Sequence, residues 1–140
     1  MKRTKRIVNI GAGAFIIFSA FSLLMVSAMA FFNPQMVMDL VQVQLPNNDA
    51  YSSIRGIYGG VGLTIVISLI YLLLNNKKMG LAFLCMLWGF YALSRIITMW
   101  HEGPLGTFGS KWLTIESVLC VCALVLLALY RKAVPPKGRL

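Results

Sequence analysis

Four long apolar segments are separated by loops that carry mostly one sign of charge and then the other, and this alternation leaves the chain few ways to fold. Ten of its 13 Lys and Arg residues lie in three tracts, Lys2 to Arg6, Lys77 with Lys78, and Arg131 to Arg139. All four acids, Asp39, Asp49, Glu102 and Glu116, fall in the intervals between those tracts. Cytoplasmic loops of membrane proteins are enriched in Lys and Arg, so the tracts set the number of crossings and their direction. The pattern predicts an all-α, four-helix transmembrane bundle in one membrane domain over residues 1–140, with spans at about 7–32, 50–74, 79–100 and 112–130. Both termini are expected on the cytoplasmic side.

Composition agrees. A chain that is 59% hydrophobic and 12% charged, with a mean hydropathy of +0.78, has too much apolar surface for a water-soluble domain of 140 residues. The net charge of +9 does not point to nucleic acid, because the basic residues flank apolar runs and do not form a stripe on one face. The first span could be taken for a cleaved signal peptide, since Ala28-Met29-Ala30 has the small-x-small form of a cleavage site. Its apolar stretch is longer than the roughly 7 to 15 residues of such a segment, and a retained helix is expected.

Between the first two spans, Pro34 to Leu45 places Val37, Leu40, Val41 and Leu45 at helical spacing. This predicts a short amphipathic surface helix, with Asp49 as N-cap of the second span, although Val41 to Leu45 also alternates as a strand would. The tight turn Asn75-Asn76-Lys77-Lys78 makes the second and third spans antiparallel neighbours. A polar tail with Pro135-Pro136 follows the fourth span. Cys85, Cys120 and Cys122 lie within apolar runs and read as small hydrophobes. Counted at 1.5 Å per residue from Trp100 and Trp112, Cys85 and Cys120 sit at depths of about 22 and 12 Å, too far apart to meet.

The charges that a bilayer should reject define the candidate site. An Arg or an acid at the centre of a spanning helix costs about 2.5 to 3.5 kcal/mol, so such groups face the bundle interior and find partners. Arg95 precedes Trp100 by five residues, Glu116 follows Trp112 by four, and Arg55 follows Asp49 by six. These offsets correspond to depths of about 7.5, 6 and 9 Å, a single layer beneath the outer face. Tyr58 can add a hydroxyl to that layer, and Trp88, Tyr91, Arg95 and Thr98 form one stripe at helical spacing. Two readings stay open: a cavity in which Arg55, Tyr58, Tyr91, Arg95 and Glu116 hold an anionic or lipid-like molecule, or a clasp in which Arg95 and Glu116 pair and nothing binds.

Gly56, Gly59, Gly60 and Gly62 follow Arg55. Gly56 and Gly60 form a GxxxG pair suited to close helix packing, while Arg55, Gly59 and Gly62 share a face. His101 and Glu102, adjacent in an outer loop, can handle a proton. No second His or Cys stands at ligand spacing, so no metal or cofactor is expected, and no nucleophile elbow or phosphate loop supports catalysis.

Asn48-Asp49, Arg55-Gly56-Ile57-Tyr58-Gly59-Gly60, Ser94-Arg95-Ile96-Ile97, His101-Glu102-Gly103-Pro104 and Glu116, in that order, resemble a bacterial family of small four-helix membrane proteins known as a domain of unknown function, within the broader DoxX-like group. His101 departs from the family pattern, and only Glu102 matches it in character. The resemblance implies an outward-facing Arg, Tyr and Glu set and makes a quinone or membrane lipid a reasonable ligand, without supplying a cofactor. A helical partner protein is the alternative, with the chain as an accessory subunit of a membrane redox or transport complex docking through its glycine face. An enzyme on lipid or quinone, using His101 or Glu116 as proton acceptor, is the weakest expectation.

Overall fold

The computed structural model describes residues 2–134, and the tail containing Pro135, Pro136 and Arg139 lies outside the described residues. Six α-helices form in order: α1 (Lys2–Phe32), α2 (Pro34–Asp39), α3 (Asn48–Ile54), α4 (Gly62–Asn75), α5 (Lys77–His101) and α6 (Thr107–Ala133). A π-helical segment, Arg55–Val61, joins α3 to α4 without a break. No strand occurs among the described residues. Four helical stretches are long and apolar enough to cross a membrane: α1, the continuous run Asn48–Asn75, α5 and α6. Large apolar side chains point outward on all of them, including Phe21, Ile67, Phe90 and Val121 at 55% exposure or more. Such surface is stable against lipid and costly in water.

The chain divides into two compact units, residues 1–16 with 72–140, and residues 17–71. In the first, α5 and α6 run antiparallel. Gly80, Leu81, Leu84, Trp88 and Ala92 on α5 are buried, as are Glu116, Ala123 and Leu127 on α6. Spacings of three, four and seven are those of two helices meeting along a seam. The start of α1 packs in the same unit: Gly11 stands beside Leu126, Ile16 beside Gly80, and Lys77 Nζ donates to Asn9 Oδ1 at 3.2 Å.

In the second unit, α1 meets the helix that follows Asn47. Asn47 is its N-cap, its Oδ1 accepting from the Ala50 N–H at 2.9 Å, so the expected cap Asp49 sits instead in the first turn. The surface helix is also shorter than expected. It ends at Asp39, and Gln42 at a φ of 59° turns the chain into an irregular run. Gln35 stabilises that ending: its amide nitrogen donates to Asp39 Oδ1 and to the Val43 carbonyl (2.7 and 2.8 Å), and its oxygen accepts from the Leu45 N–H (3.0 Å). One side-chain amide thus pairs with the passing backbone as a neighbouring strand would. Below it Ala30, Val37 and Met38 form a small core, with Met29, Leu45 and Ile54 packed against it.

The glycines of the second span divide into two rows. A Cβ on Gly59 would touch the Phe31 ring at 3.0 Å, and one on Gly62 would run into Ser27 Oγ; at Gly56 and Gly60 it would meet open space. Packing between α1 and this helix therefore uses Gly59 and Gly62, and the GxxxG pair stands off it. The seam continues through Val66 and Leu69, both buried, whereas the row of Gly56 and Gly60 continues to Ile67, 61% exposed. Ser27 cannot turn aside at no cost, because its hydroxyl donates to the Leu23 carbonyl at 2.9 Å. Gly62→Ala should consequently lower stability by about 1 to 3 kcal/mol through overpacking. Gly60→Ala should be neutral or gain up to about 1 kcal/mol in helix propensity. Thermal unfolding of the two variants in the same detergent checks the contrast.

Candidate functional site

Glu116 and Arg95 occupy the α5–α6 seam where a hydrophobic layer would otherwise stand. On α6 the row Glu116, Cys120, Ala123, Leu127 faces α5, and on α5 the row Leu81, Leu84, Trp88, Ala92 leads up to Arg95. The guanidinium meets the carboxylate fork to fork: Nε donates to Oε2 at 2.6 Å and Nη2 to Oε1 at 2.8 Å. Both carboxylate oxygens are engaged, and Glu116 is only 3% exposed against 22% for Arg95. Paired, charge-assisted bonds of this kind are the strongest side-chain contacts available to a group held away from water. Phe108 lies with its ring centroid 6.0 Å from Arg95 Cζ, and Trp112 packs on Phe108 at 6.1 Å. The cation is thus covered on one side by an aromatic face.

Counting depth from Trp112 excluded Phe108, because α6 begins at Thr107, five residues earlier. The i, i+4 spacing of Phe108 and Trp112 was the available signal. The same extension corrects the expectation for the cysteines. Cys120 Sγ lies 3.6 Å from the Cys85 carbonyl oxygen and beside Gly89, so the two residues are neighbours across the seam. With the helix ends at His101 and Thr107, both stand more than a dozen residues from their loop.

Beside the seam, α5 carries a second face. Phe83, Met86, Leu87, Phe90, Tyr91 and Ser94 line an open groove of about 510 Å³, apolar along most of its length. Tyr91 and Ser94 form its polar end, where Ser94 Oγ donates to the Tyr91 carbonyl at 2.8 Å. Trp88, buried, packs against Tyr91 at 6.1 Å between ring centroids. Phe83, Leu87, Phe90 and Ser94 repeat at intervals of four, three and four, a row legible in the sequence but not singled out.

Arg55 belongs to the other unit. Its side chain is exposed, and its Nε donates to the Phe31 carbonyl at 3.1 Å, one of the carbonyls left open at the end of α1. Tyr58 is exposed nearby in the same π segment, and Thr64 Oγ1 donates to the Gly60 carbonyl (3.0 Å) as the π segment gives way to α4. His101 closes α5, exposed, and Glu102 is its C-cap; neither side chain has a hydrogen-bonding partner among the described residues. Gly103 then turns the chain at a φ of 99°. No group of three or more His, Cys, Asp or Glu among the described residues could hold a metal ion.

Fold and site together describe an α-helical, multi-pass membrane protein in which a buried Glu is paired with a half-buried Arg. The chain belongs to the family described as "Domain of unknown function (DUF4345)", whose model matches residues 12–127. No curated protein and no solved structure matches it.

Breaking the pair should expose its energetic role. Glu116→Gln strands part of the half-buried guanidinium and should lower unfolding free energy by about 3 kcal/mol. Replacing both residues, Arg95→Leu with Glu116→Leu, should recover most of that loss, since two apolar groups need no partner. A double-mutant cycle on thermal unfolding in detergent measures the coupling; additive effects would show that the pair contributes nothing.

Proposed function

We propose that this protein is a non-enzymatic component of a bacterial cytoplasmic membrane, with both termini on the cytoplasmic side, that binds a lipid-like molecule. The carrying observation is the groove on α5, about 510 Å³, apolar from Phe83 to Phe90 and ending in the hydroxyl-bearing side chains of Tyr91 and Ser94. Its volume lies within the roughly 300 to 1,000 Å³ of small-molecule sites, and apolar walls with a few polar groups at one end suit a chain with a head group. An acyl or isoprenoid chain would lie along Phe83, Met86, Leu87 and Phe90. A phosphate ester or a quinone ring would meet Tyr91 and Ser94, one residue from Arg95.

Glu116 then has a positioning role. Both its oxygens are committed to Arg95, so it aims the guanidinium and does not touch the ligand. The same commitment argues against Glu116 as a proton acceptor in catalysis. Arg55, in the other unit, keeps Nη1 and Nη2 for an anionic group after its bond to Phe31, with Tyr58 three residues further on.

Native mass spectrometry of gently extracted protein, with a short-chain phospholipid and a short-chain quinone as added probes, tests the reading. Met86→Trp fills the apolar part of the groove and Ser94→Phe closes its polar end; each should cut retention at least tenfold while thermal stability stays within about 0.5 kcal/mol, as expected of changes at exposed positions. Retention unaffected by both would remove the site. A stoichiometric protein chain in place of lipid would move the assignment to an accessory subunit, for which the open Gly56 and Gly60 row offers the contact.

A further inference from the structure

The end of the first unit away from the α5–α6 loop is a concentration of like charge with no internal counterion. Four cations lie between Lys2 and Arg6 at the start of α1, Lys77 and Lys78 open α5, and Arg131 and Lys132 close α6. The antiparallel pairing of α5 and α6 brings the last two pairs to one end. The start of α1 is held there by the bond from Lys77 to Asn9 and the contact of Gly11 with Leu126. Among the described residues, eight cations and no acid make this end +8, because the two acidic side chains of the unit, Glu102 and Glu116, belong to the loop half of α5 and α6. Seven of the eight side chains are exposed and Lys77 is half-buried.

Two features make this more than a solvated rim. Lys77 and Lys78 sit in the first turn of a 25-residue helix, where the backbone dipole is itself positive and disfavours cations. Among the described residues of this unit no carboxylate stands at that end to offset them, and like charges gathered at one end repel. At the ends of membrane-crossing helices the neighbouring medium is lipid headgroups, and anionic headgroups attract juxtamembrane Lys and Arg by about 1 kcal/mol per residue.

We infer that this end is a binding surface for anionic phospholipid, with the phosphodiesters of several headgroups bridging the starts of α1 and α5 and the end of α6. Free phosphate carries the same chemistry, but a leaflet presents many fixed charges at the height of the cations. This surface is independent of the groove on α5, and the two can fail separately.

The test is native mass spectrometry of the full chain from mixed micelles containing equal phosphatidylglycerol and phosphatidylcholine. Wild type should retain phosphatidylglycerol in several-fold excess. The triple variant Lys78→Gln, Arg131→Gln, Lys132→Gln should lower that excess at least fivefold, a factor equal to about 1 kcal/mol. Lys78→Arg with Lys132→Arg should preserve it, and Lys111→Gln, at an exposed cation near the opposite end of α6, should leave it unchanged. Salt at about 1 M, where the screening length falls to about 3 Å, should reduce the excess in the unmutated chain, so the reading does not hang on whether the triple variant folds. Equal retention of the two lipids by wild type would overturn the proposal. So would an excess that survives both the triple substitution and salt, or displacement of the lipid by inorganic phosphate.

Discussion

A bilayer offers no water to unpaired polar groups, and the Arg95–Glu116 fork is where this chain meets that constraint most directly. A buried carboxylate at 3% exposure is tolerable only with its charge and both oxygens answered. Because Glu116 sits on the face of α6 that packs on α5, answering it fixes how the two helices slide against each other. That register places Cys120 between Gly89 and the Cys85 carbonyl, and it buries Trp88 and Ala92 beneath the pair. What remains on α5 is a neighbouring face with no seam to fill, and the groove from Phe83 to Ser94 lies on it. The ion pair and the groove are thus two consequences of one choice of helix face.

The smaller polar residues are handled within their own helices. Ser22, Ser27, Ser68, Thr98 and Thr114 each donate to the carbonyl four residues earlier. Such back-bonding commits each hydroxyl proton within its own helix. Charged side chains make hydrogen bonds between helices within each unit. Arg55 reaches the end of α1, Lys77 reaches Asn9, and Arg95 reaches Glu116. In a chain whose outer surface is largely apolar, these few bonds distinguish one helix pairing from many others of similar apolar contact.

Most of the helical framework was legible because its signal is long. Some twenty consecutive mostly apolar residues leave little alternative to a helix, and four helices long and apolar enough to cross a membrane occur among the described residues. Helix ends were less legible. Aromatic residues at membrane interfaces suggested an end at Trp112, yet Gly106 and Thr107 start α6 more than a turn earlier. Arg95 and Glu116 met despite this shift, because two long side chains span a difference of about a turn. The thiols of Cys85 and Cys120 are short, so the same error hid their proximity. Gln35 was silent in the sequence for another reason: its three bonds depend on a turn at Gln42 that brings Val43 and Leu45 back over α2.

The glycine-rich opening of the second span shows why a short motif can misdirect. Gly56 and Gly60 satisfy the GxxxG spacing, but spacing alone does not say which row of a helix is buried. That is decided further along, where one row continues into Val66 and Leu69 and the other into an exposed Ile67. The row that wins begins with Arg55, so its guanidinium arrives at the open carbonyl end of α1, where a cation is favoured by the helix dipole. Gly59 then admits the Phe31 ring close to the backbone, and the π-helical form of Arg55–Val61 coincides with the stretch that has least side chain to resist it. Burial further down the helix thus gives these glycines their meaning, and the pair left over faces outward, available to whatever lies outside the chain.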